Sequence, residues 1–328
     1  MPFWKDKQVF VTGASGFIGF WLCKRLVELE SHVTILLPDP HEQSELLRTD
    51  LVKSVRIVEG NLERSLHLEK VFKSCKIDTV FHLGAETQVK KALENPLATF
   101  ETNIRGTYLL LEACRLAGLK RLILASSDKS YGIHKNLPYV EETPLQAIYP
   151  YDVSKACGDR LAMSYYHTYH LPIAITRCGN VYGGADFNWD RLVPGVLRNL
   201  YQDSRPLLRS NGLYLRDYIY VEDVVDGYLK IGELLEEKSL QGEAFNLSTG
   251  SPITVLDMVS KLQKLTHKEH LPPILENKAI AEIPHQYLDS RKALHILGWQ
   301  PTTTLEEGLL KTVTWYSSYL EVTSCALS

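Results

Sequence analysis

The chain has 328 residues, 45% of them hydrophobic and 23% charged, enough apolar material for one large or two closely joined globular domains. A net charge of −3 and a pI near 6.4 give no global positive field, which argues against nucleic acid or an anionic membrane as partner; any anionic ligand must be held locally. No uninterrupted apolar run of about 18 residues occurs, and the first residues lack the apolar core of a signal peptide, so a cytoplasmic location without membrane contact is expected.

In chain order, the apolar run Val9-Phe10-Val11 reads as a strand and leads into Thr12-Gly13-Ala14-Ser15-Gly16-Phe17-Ile18-Gly19, followed by a helical pattern from Trp21 to Val27. Strand, glycine turn and helix form the order that a dinucleotide site requires. Gly13 allows the tight turn, Gly16 the approach of a pyrophosphate to backbone and Gly19 close packing of helix on strand, with Ser15, Phe17 and Ile18 completing the loop. The helix N-terminus then offers N–H groups and partial positive charge to phosphates. A second strand is expected over 32–37. Asp39 follows it, placed to hold the adenosine ribose hydroxyls, which favours NAD and leaves NADP open. Strands over 55–58 and 79–83 come next; Asn61 and Leu62 are candidates beside the adenine, Leu83, Gly84 and Ala85 for the cofactor, and Glu86 for a sugar pocket.

A helix is expected over 98–119, closing at Gly118, and a fifth strand over 121–125 that ends in Ser126-Ser127-Asp128-Lys129. Tyr149-Pro150-Tyr151-Asp152-Val153-Ser154-Lys155 follows. On a helix, residues four apart share a face about 6 Å apart along the axis, so the Lys155 ammonium is expected to lower the pKa of the Tyr151 phenol. A helical pattern over 154–170 and a sixth strand over 173–177 complete an alternation that indicates an α/β fold, a Rossmann-type doubly wound parallel sheet with ligand at the carboxyl ends of its strands. Beyond Gly179 the pattern loosens into a smaller, interleaved C-terminal substrate domain, while strand-like segments over 217–221 and 244–247 return to the main sheet. The expected division is a dinucleotide-binding domain of residues 1–178 plus 213–247 and a substrate domain of 179–212 plus 248–328. The six scattered cysteines and eleven histidines form no ligand pattern, so no metal is expected.

With the glycine turn, His82-Leu83-Gly84-Ala85, the Tyr-x-x-x-Lys spacing and Arg216-Asp217-Tyr218-Ile219-Tyr220-Val221-Glu222-Asp223-Val224 in order, the chain resembles the extended short-chain dehydrogenase/reductase family, which acts on nucleotide sugars. The resemblance implies Tyr151 as acid/base, Lys155 as the nicotinamide-ribose ligand, Ser127 as a hydrogen-bond partner of the reacting hydroxyl, Asn103 behind the site, and a homodimer built on the helices over 98–118 and 154–170. Asp128-Lys129 is similar to the pair in CDP-glucose 4,6-dehydratases and in the inverting UDP-N-acetylglucosamine dehydratases, and the segment from Arg177 to Pro194 looks most like the CDP-glucose 4,6-dehydratase type. That type implies transient C4 oxidation of a nucleotide sugar, loss of water across C5 and C6 with Asp128 and Lys129 sharing the acid and base roles, and hydride return to C6. Arg191 and Arg216 match diphosphate geometry, with Asn180 and Leu192 as further substrate contacts. A 4-epimerase on the same scaffold and a non-catalytic dinucleotide sensor are the competing readings. An adjacent carboxyl and amine attract most when both are charged, so holding them as acid and free amine requires a largely water-free cleft.

Overall fold

The protein is described here from a computed structural model covering residues 2–38, 44–64, 68–237 and 240–325, with side chains to 320. Six strands, Gln8–Thr12 (β1), His32–Leu37 (β2), Arg56–Glu59 (β3), Thr79–His82 (β4), Arg121–Ala125 (β5) and Ile173–Cys178 (β6), fall within a residue or two of expectation. With Ala244–Leu247 they form a seven-stranded sheet in the order Ala244–Leu247, β6, β5, β4, β1, β2, β3, every neighbour parallel. Apolar residues point to both faces, as a sheet covered on both sides demands. Val9, Val11, Ile35, Phe81 and Ile123 pack under the Phe17–Glu28 and Val221–Leu234 helices. Phe10, Leu36, Val80, Leu122 and Ile175 pack under the Gly106–Ala117 and Pro150–Tyr169 helices.

The strand order reverses between β1 and β4, which opens a crevice at their carboxyl ends. Two backbones meet there. Gly13 has φ of +73°, and a Cβ on it would lie 2.7 Å from the Leu83 carbonyl carbon and the Gly84 nitrogen. A Cβ on Gly19 would lie 2.0 Å from the Gly13 carbonyl oxygen, so the turn and the first helix close on each other only without side chains.

Two expectations need correction. The 98–119 helix is continuous but not regular: Glu101–Arg105 is a π-helical turn between Pro96–Phe100 and Gly106–Ala117, and it turns Asn103 inward. The strand near 217–221 does not rejoin the main sheet. Ala244–Leu247 already takes the edge beside β6, so Tyr218–Tyr220 pairs instead with Asn180–Tyr182 in a separate two-stranded sheet. Around it, the helices Leu192–Tyr201, Val255–Thr266 and Leu305–Cys325 enclose their own apolar cluster, which reaches the main body through Phe17 and Val221. Among the described residues no helix is long and apolar enough to cross a membrane.

Replacing Gly19 by alanine forces backbone to shift at the turn. The variant is expected to lose on the order of 1–3 kcal/mol in urea unfolding and to lose dinucleotide affinity in the same preparation.

Candidate active site

β5 ends at Ala125, and its continuation brings Ser127 to the N-cap of a 3₁₀ turn, Asp128–Tyr131. The Ser127 hydroxyl accepts the Lys129 N–H at 3.2 Å and donates to Asp128 Oδ1 at 3.2 Å. Asp128 is 5% exposed, and its other oxygen, Oδ2, is buried with no hydrogen-bond partner among the described residues. Burial pushes its carboxyl up to about 6, against the opposing pull of Lys129 and Arg216.

The helix that carries Tyr151 starts at Pro150, four residues earlier than expected, because the proline ring presets the first helical turn. Tyr151 is buried and lies against Ser127, whose hydroxyl hydrogen-bonds the phenol. Its pKa is pushed up to about 12 by burial, and the positive charge that opposes this is the Arg191 guanidinium. The expected lowering by Lys155 is therefore corrected. The Lys155 side chain reaches back to the end of β5, where Nζ donates to the Ala125 carbonyl at 2.5 Å, and burial lowers its own pKa to about 8. Ser127, Asp128 and Tyr151 lie together, and Lys155 lies one step away at the end of β5.

A second layer holds them. Asn103 takes the Glu86 N–H on Oδ1 at 2.7 Å, and its Nδ2 donates to the Glu86 carbonyl at 2.9 Å and to Ser154 Oγ at 2.8 Å, tying the loop after β4 to the tyrosine helix. Sequence reasoning missed His82 as more than part of a motif. Gly84 N–H donates to Thr12 Oγ1, which meets His82 Nδ1 at 2.8 Å; His82 Nε2 meets Thr107 Oγ1 at 2.9 Å, and Thr107 donates to the Asn103 carbonyl. That chain assigns the proton to Nε2, and burial holds the ring neutral with a pKa near 3. Also missed was a buried ion pair: both Arg177 Nε and Nη2 donate to Asp159 Oδ1, at 3.2 and 2.8 Å, while Arg177 Nη1 donates to the Tyr131 hydroxyl and the Glu141 carbonyl. Ser126 donates to the other Asp159 oxygen. Asp152, 1% exposed beside Tyr151, completes the set; its signal was a carboxylate in the first turn of the catalytic helix.

The crevice fits a dinucleotide. The Gly13–Gly19 turn is a cradle that any side chain would fill, and Gly16, the N-cap of the following helix, brings no side-chain acceptor to its first N–H groups. Ser15, Phe17 and Ile18 lie on that turn and helix start. Leu62 borders it, being the atom group that a Cβ on Gly84 or Gly106 would strike; Asn61 precedes it, and Leu83, Gly84 and Ala85 follow β4. Asp39 lies outside the described residues. Of the residues expected to contact substrate, Asn180 has its Nδ2 buried and without a partner among the described residues. Arg191, just before Leu192 and the helix it starts, pairs with Asp186 at 3.0 Å and donates to Thr87 at 3.3 Å. Arg216 is buried, its guanidinium donating to the Leu215 and Pro284 carbonyls with Glu282 at 3.7 Å. The Glu86 carboxylate accepts the Gln88 N–H at 2.8 Å, closing its own loop.

Comparison with known proteins agrees with this geometry. The family model described as GDP-mannose 4,6 dehydratase matches residues 10–312. A dTDP-D-glucose 4,6-dehydratase from Mus musculus is 28% identical, covering 94% of this chain and 88% of that protein. A CDP-glucose 4,6-dehydratase from Salmonella typhimurium is 29% identical, covering 97% and 92%. Among solved structures, the Streptomyces venezuelae dTDP-glucose 4,6-dehydratase with NAD and TYD bound has a TM-score of 0.87 at 26% identity over 96% of this chain and 98% of that one. A UDP-glucose 4-epimerase from Thermotoga maritima has the same TM-score at 27% identity over 95% and 99%.

The Lys155 pKa, lowered from 10.5 to about 8, carries a stability cost that is fully present below pH 8 and relieved as pH rises towards 10.5, where the unfolded chain holds more protons than the folded one. Lys155→Met is expected to be more stable than wild type by about 1–3 kcal/mol at pH 7 in denaturant titration, the difference shrinking above pH 8, although the variant loses its function.

Proposed function

This chain belongs to the GDP-mannose 4,6-dehydratase family, and on that premise we propose that it is an NAD-dependent nucleotide-sugar 4,6-dehydratase of the extended short-chain dehydrogenase/reductase type. The observation that carries the reading is Asp128: a buried carboxyl, pushed up to about 6, with one oxygen unpartnered among the described residues and its other hydrogen-bonded to the serine beside Tyr151. It is a proton donor in waiting. The Gly13–Gly19 turn holds the pyrophosphate and Lys155 the nicotinamide ribose; when bound, the dinucleotide accepts a hydride from C4 of the sugar and later returns one to C6.

Tyr151 removes the proton of the C4 hydroxyl, with Ser127 hydrogen-bonded to the same oxygen and the Arg191 charge favouring the phenolate. The resulting 4-ketone makes the C5 hydrogen acidic. Lys129 takes that proton, and Asp128 gives its own to the C6 oxygen, which departs as water. Lys129 then returns its proton to C5. One cycle leaves Tyr151 with a proton gained and Asp128 with a proton lost. Ser127, hydrogen-bonded to both groups, is the path by which that proton passes from phenol to carboxyl.

Of the nucleotides, CDP is favoured, because the segment from Arg177 to Pro194 resembles the CDP-glucose type most, while the Asp128-Lys129 pair is shared with UDP-sugar dehydratases. Arg191, Arg216 and Asn180 are the groups we assign to the diphosphate and sugar, two guanidinium forks and one buried amide without a partner among the described residues. A cytoplasmic location accords with the free cysteines Cys23, Cys75, Cys114, Cys157 and Cys178. A homodimer is supported by exposed apolar side chains on the two neighbouring helices and the chain entering them: Leu97 is 70% exposed and Ile148 64%, with Tyr108, Leu116 and Tyr169 beside them.

Incubation with CDP-, UDP-, dTDP- and GDP-glucose is expected to give a product lighter by one water, fastest with CDP; an epimer of unchanged mass would instead establish the 4-epimerase. Asp128→Asn and Lys129→Met should each cut water loss on the order of 10²–10⁴-fold while the C4 oxidation persists. Sedimentation should find twice the chain mass, and Leu97→Glu combined with Ile148→Glu should bring it to one chain without loss of secondary structure.

A further inference from the structure

Two buried carboxyls share the reaction side of the site. Asp128, on the 3₁₀ turn, and Asp152, in the first turn of the Pro150–Tyr169 helix, are 5% and 1% exposed, and the single ammonium that acts on both is Lys129. Arg216 also faces Asp128 but has Glu282 at 3.7 Å as a counter-charge. Tyr151, Tyr139 and Cys178 complete the titratable groups facing Asp128 among the described residues, each pushed up to about 12 by burial and so uncharged at neutral pH. The count is then two carboxyls against one ammonium. With both carboxyls buried and Lys129 half-buried, the charges balance only if one carboxyl keeps a proton.

Geometry decides which. Asp152 lies in the first turn of a 20-residue helix, where the partial positive charge of the N-terminus favours an anion. Asp128 accepts Ser127 on one oxygen, and its other is buried and bare. A bare carboxylate oxygen costs the full loss of its hydration, whereas a protonated one is a donor pointed at an incoming oxygen.

We propose that Asp152 is a positioning residue for dehydration: its carboxylate is the counter-ion of Lys129 and, by occupying that ammonium, leaves Asp128 able to keep the proton it delivers to the departing oxygen. The same carboxylate receives the Lys129 proton when the free amine is needed, and that transfer from nitrogen to oxygen leaves the cluster's net charge unchanged. Both statements rest on the dehydratase reading of the site. They remove the difficulty of an adjacent acid and amine, since the attraction that would ionise Asp128 is spent on a third group.

The test is Asp152→Asn. With that anion gone, Lys129 pairs with Asp128, whose pKa falls. Water loss at pH 7 is expected to drop about 100-fold while C4 oxidation keeps its rate, so that the bound dinucleotide accumulates in its reduced, absorbing form. The pH above which water loss fails should move downwards, so that acidification restores part of the rate, and Asp152→Glu should regain the wild-type profile. Unchanged water loss and profile in Asp152→Asn would overturn the proposal, as would an equal loss in both half-reactions with no shift of profile. Infrared difference spectra without substrate supply a readout independent of turnover: wild type minus Asp128→Asn at pH 7 should show a protonated-carboxyl band, and its absence would show that Asp128 does not hold the proton and sink the idea even if Asp152→Asn does not fold. A wild type that releases no water from any nucleotide hexose overturns the dehydratase reading itself, and the Asp152 proposal with it.

Discussion

Desolvation is the constraint on which this site depends, because the fold draws its titratable groups to the carboxyl edge of the sheet and then closes over them. Each is displaced towards its neutral form: Asp128 and Asp152 rise to about 6, Lys155 falls to about 8, Tyr151 rises to about 12 and His82 falls to about 3. The displacements sort the groups by task. Carboxyls brought near neutrality can give and take protons at little cost. His82, held far from it, is a fixed neutral spacer between Thr12 and Thr107 whose hydrogen bonds do not change with pH. Tyr151 is left too basic to ionise on protein groups alone, so its activation awaits the positive charge that an oxidised nicotinamide ring would add to that of Arg191.

A cluster held out of water must also be held in place, and the Arg177–Asp159 pair explains how. Its partners are Ser126 and Tyr131, which flank Asp128 on either side in the chain, so the 3₁₀ turn is fastened at both ends to β6 and to the tyrosine helix. All but one of the protons on the Arg177 nitrogens named above have acceptors, and the guanidinium lies 5.0 Å from the Tyr131 ring centroid. Such a pair is worth little for net stability but is costly to break. Its contribution is geometric: with the turn anchored, the bare oxygen of Asp128 cannot swing out to find water.

Most of the fold was legible in the sequence because parallel strands buried on both faces read as short apolar runs, and the glycine turn has one structural solution once strand and helix flank it. The Tyr151 spacing was legible for the same reason, being a helical period. What escaped depended on contacts distant in sequence. The π-helical turn at Glu101–Arg105 keeps an ordinary apolar pattern, and Tyr218–Tyr220 reads like a strand of the main sheet until Ala244–Leu247 is seen to fill the edge. Helical spacing suggested that Lys155 would act on Tyr151, but the lysine stem instead bends towards Ala125, whereas Arg191 arrives at Tyr151 from 40 residues away in the chain. Asp152 was in plain view beside Tyr151, and only its burial within the field of Lys129 gave it meaning.

The same scaffold serves epimerases and dehydratases, and their difference lies in a few side chains that the fold would be more comfortable without. Removing and returning hydrogen at C4 requires the tyrosine, the serine and the cofactor, and a polar turn after β5 could be solvated or small. Here the turn carries a buried carboxyl with a bare oxygen, and across the site Asn180 holds a bare amide donor. Each unsatisfied atom costs about 1–3 kcal/mol in the free protein. A fold tolerates that where a ligand completes the bonds, one atom giving a proton to a departing oxygen and the other a hydrogen bond to the substrate that carries it. On the proposed reading, these two unpaired atoms fit a polar, oxygen-rich ligand that brings an acceptor to each of them.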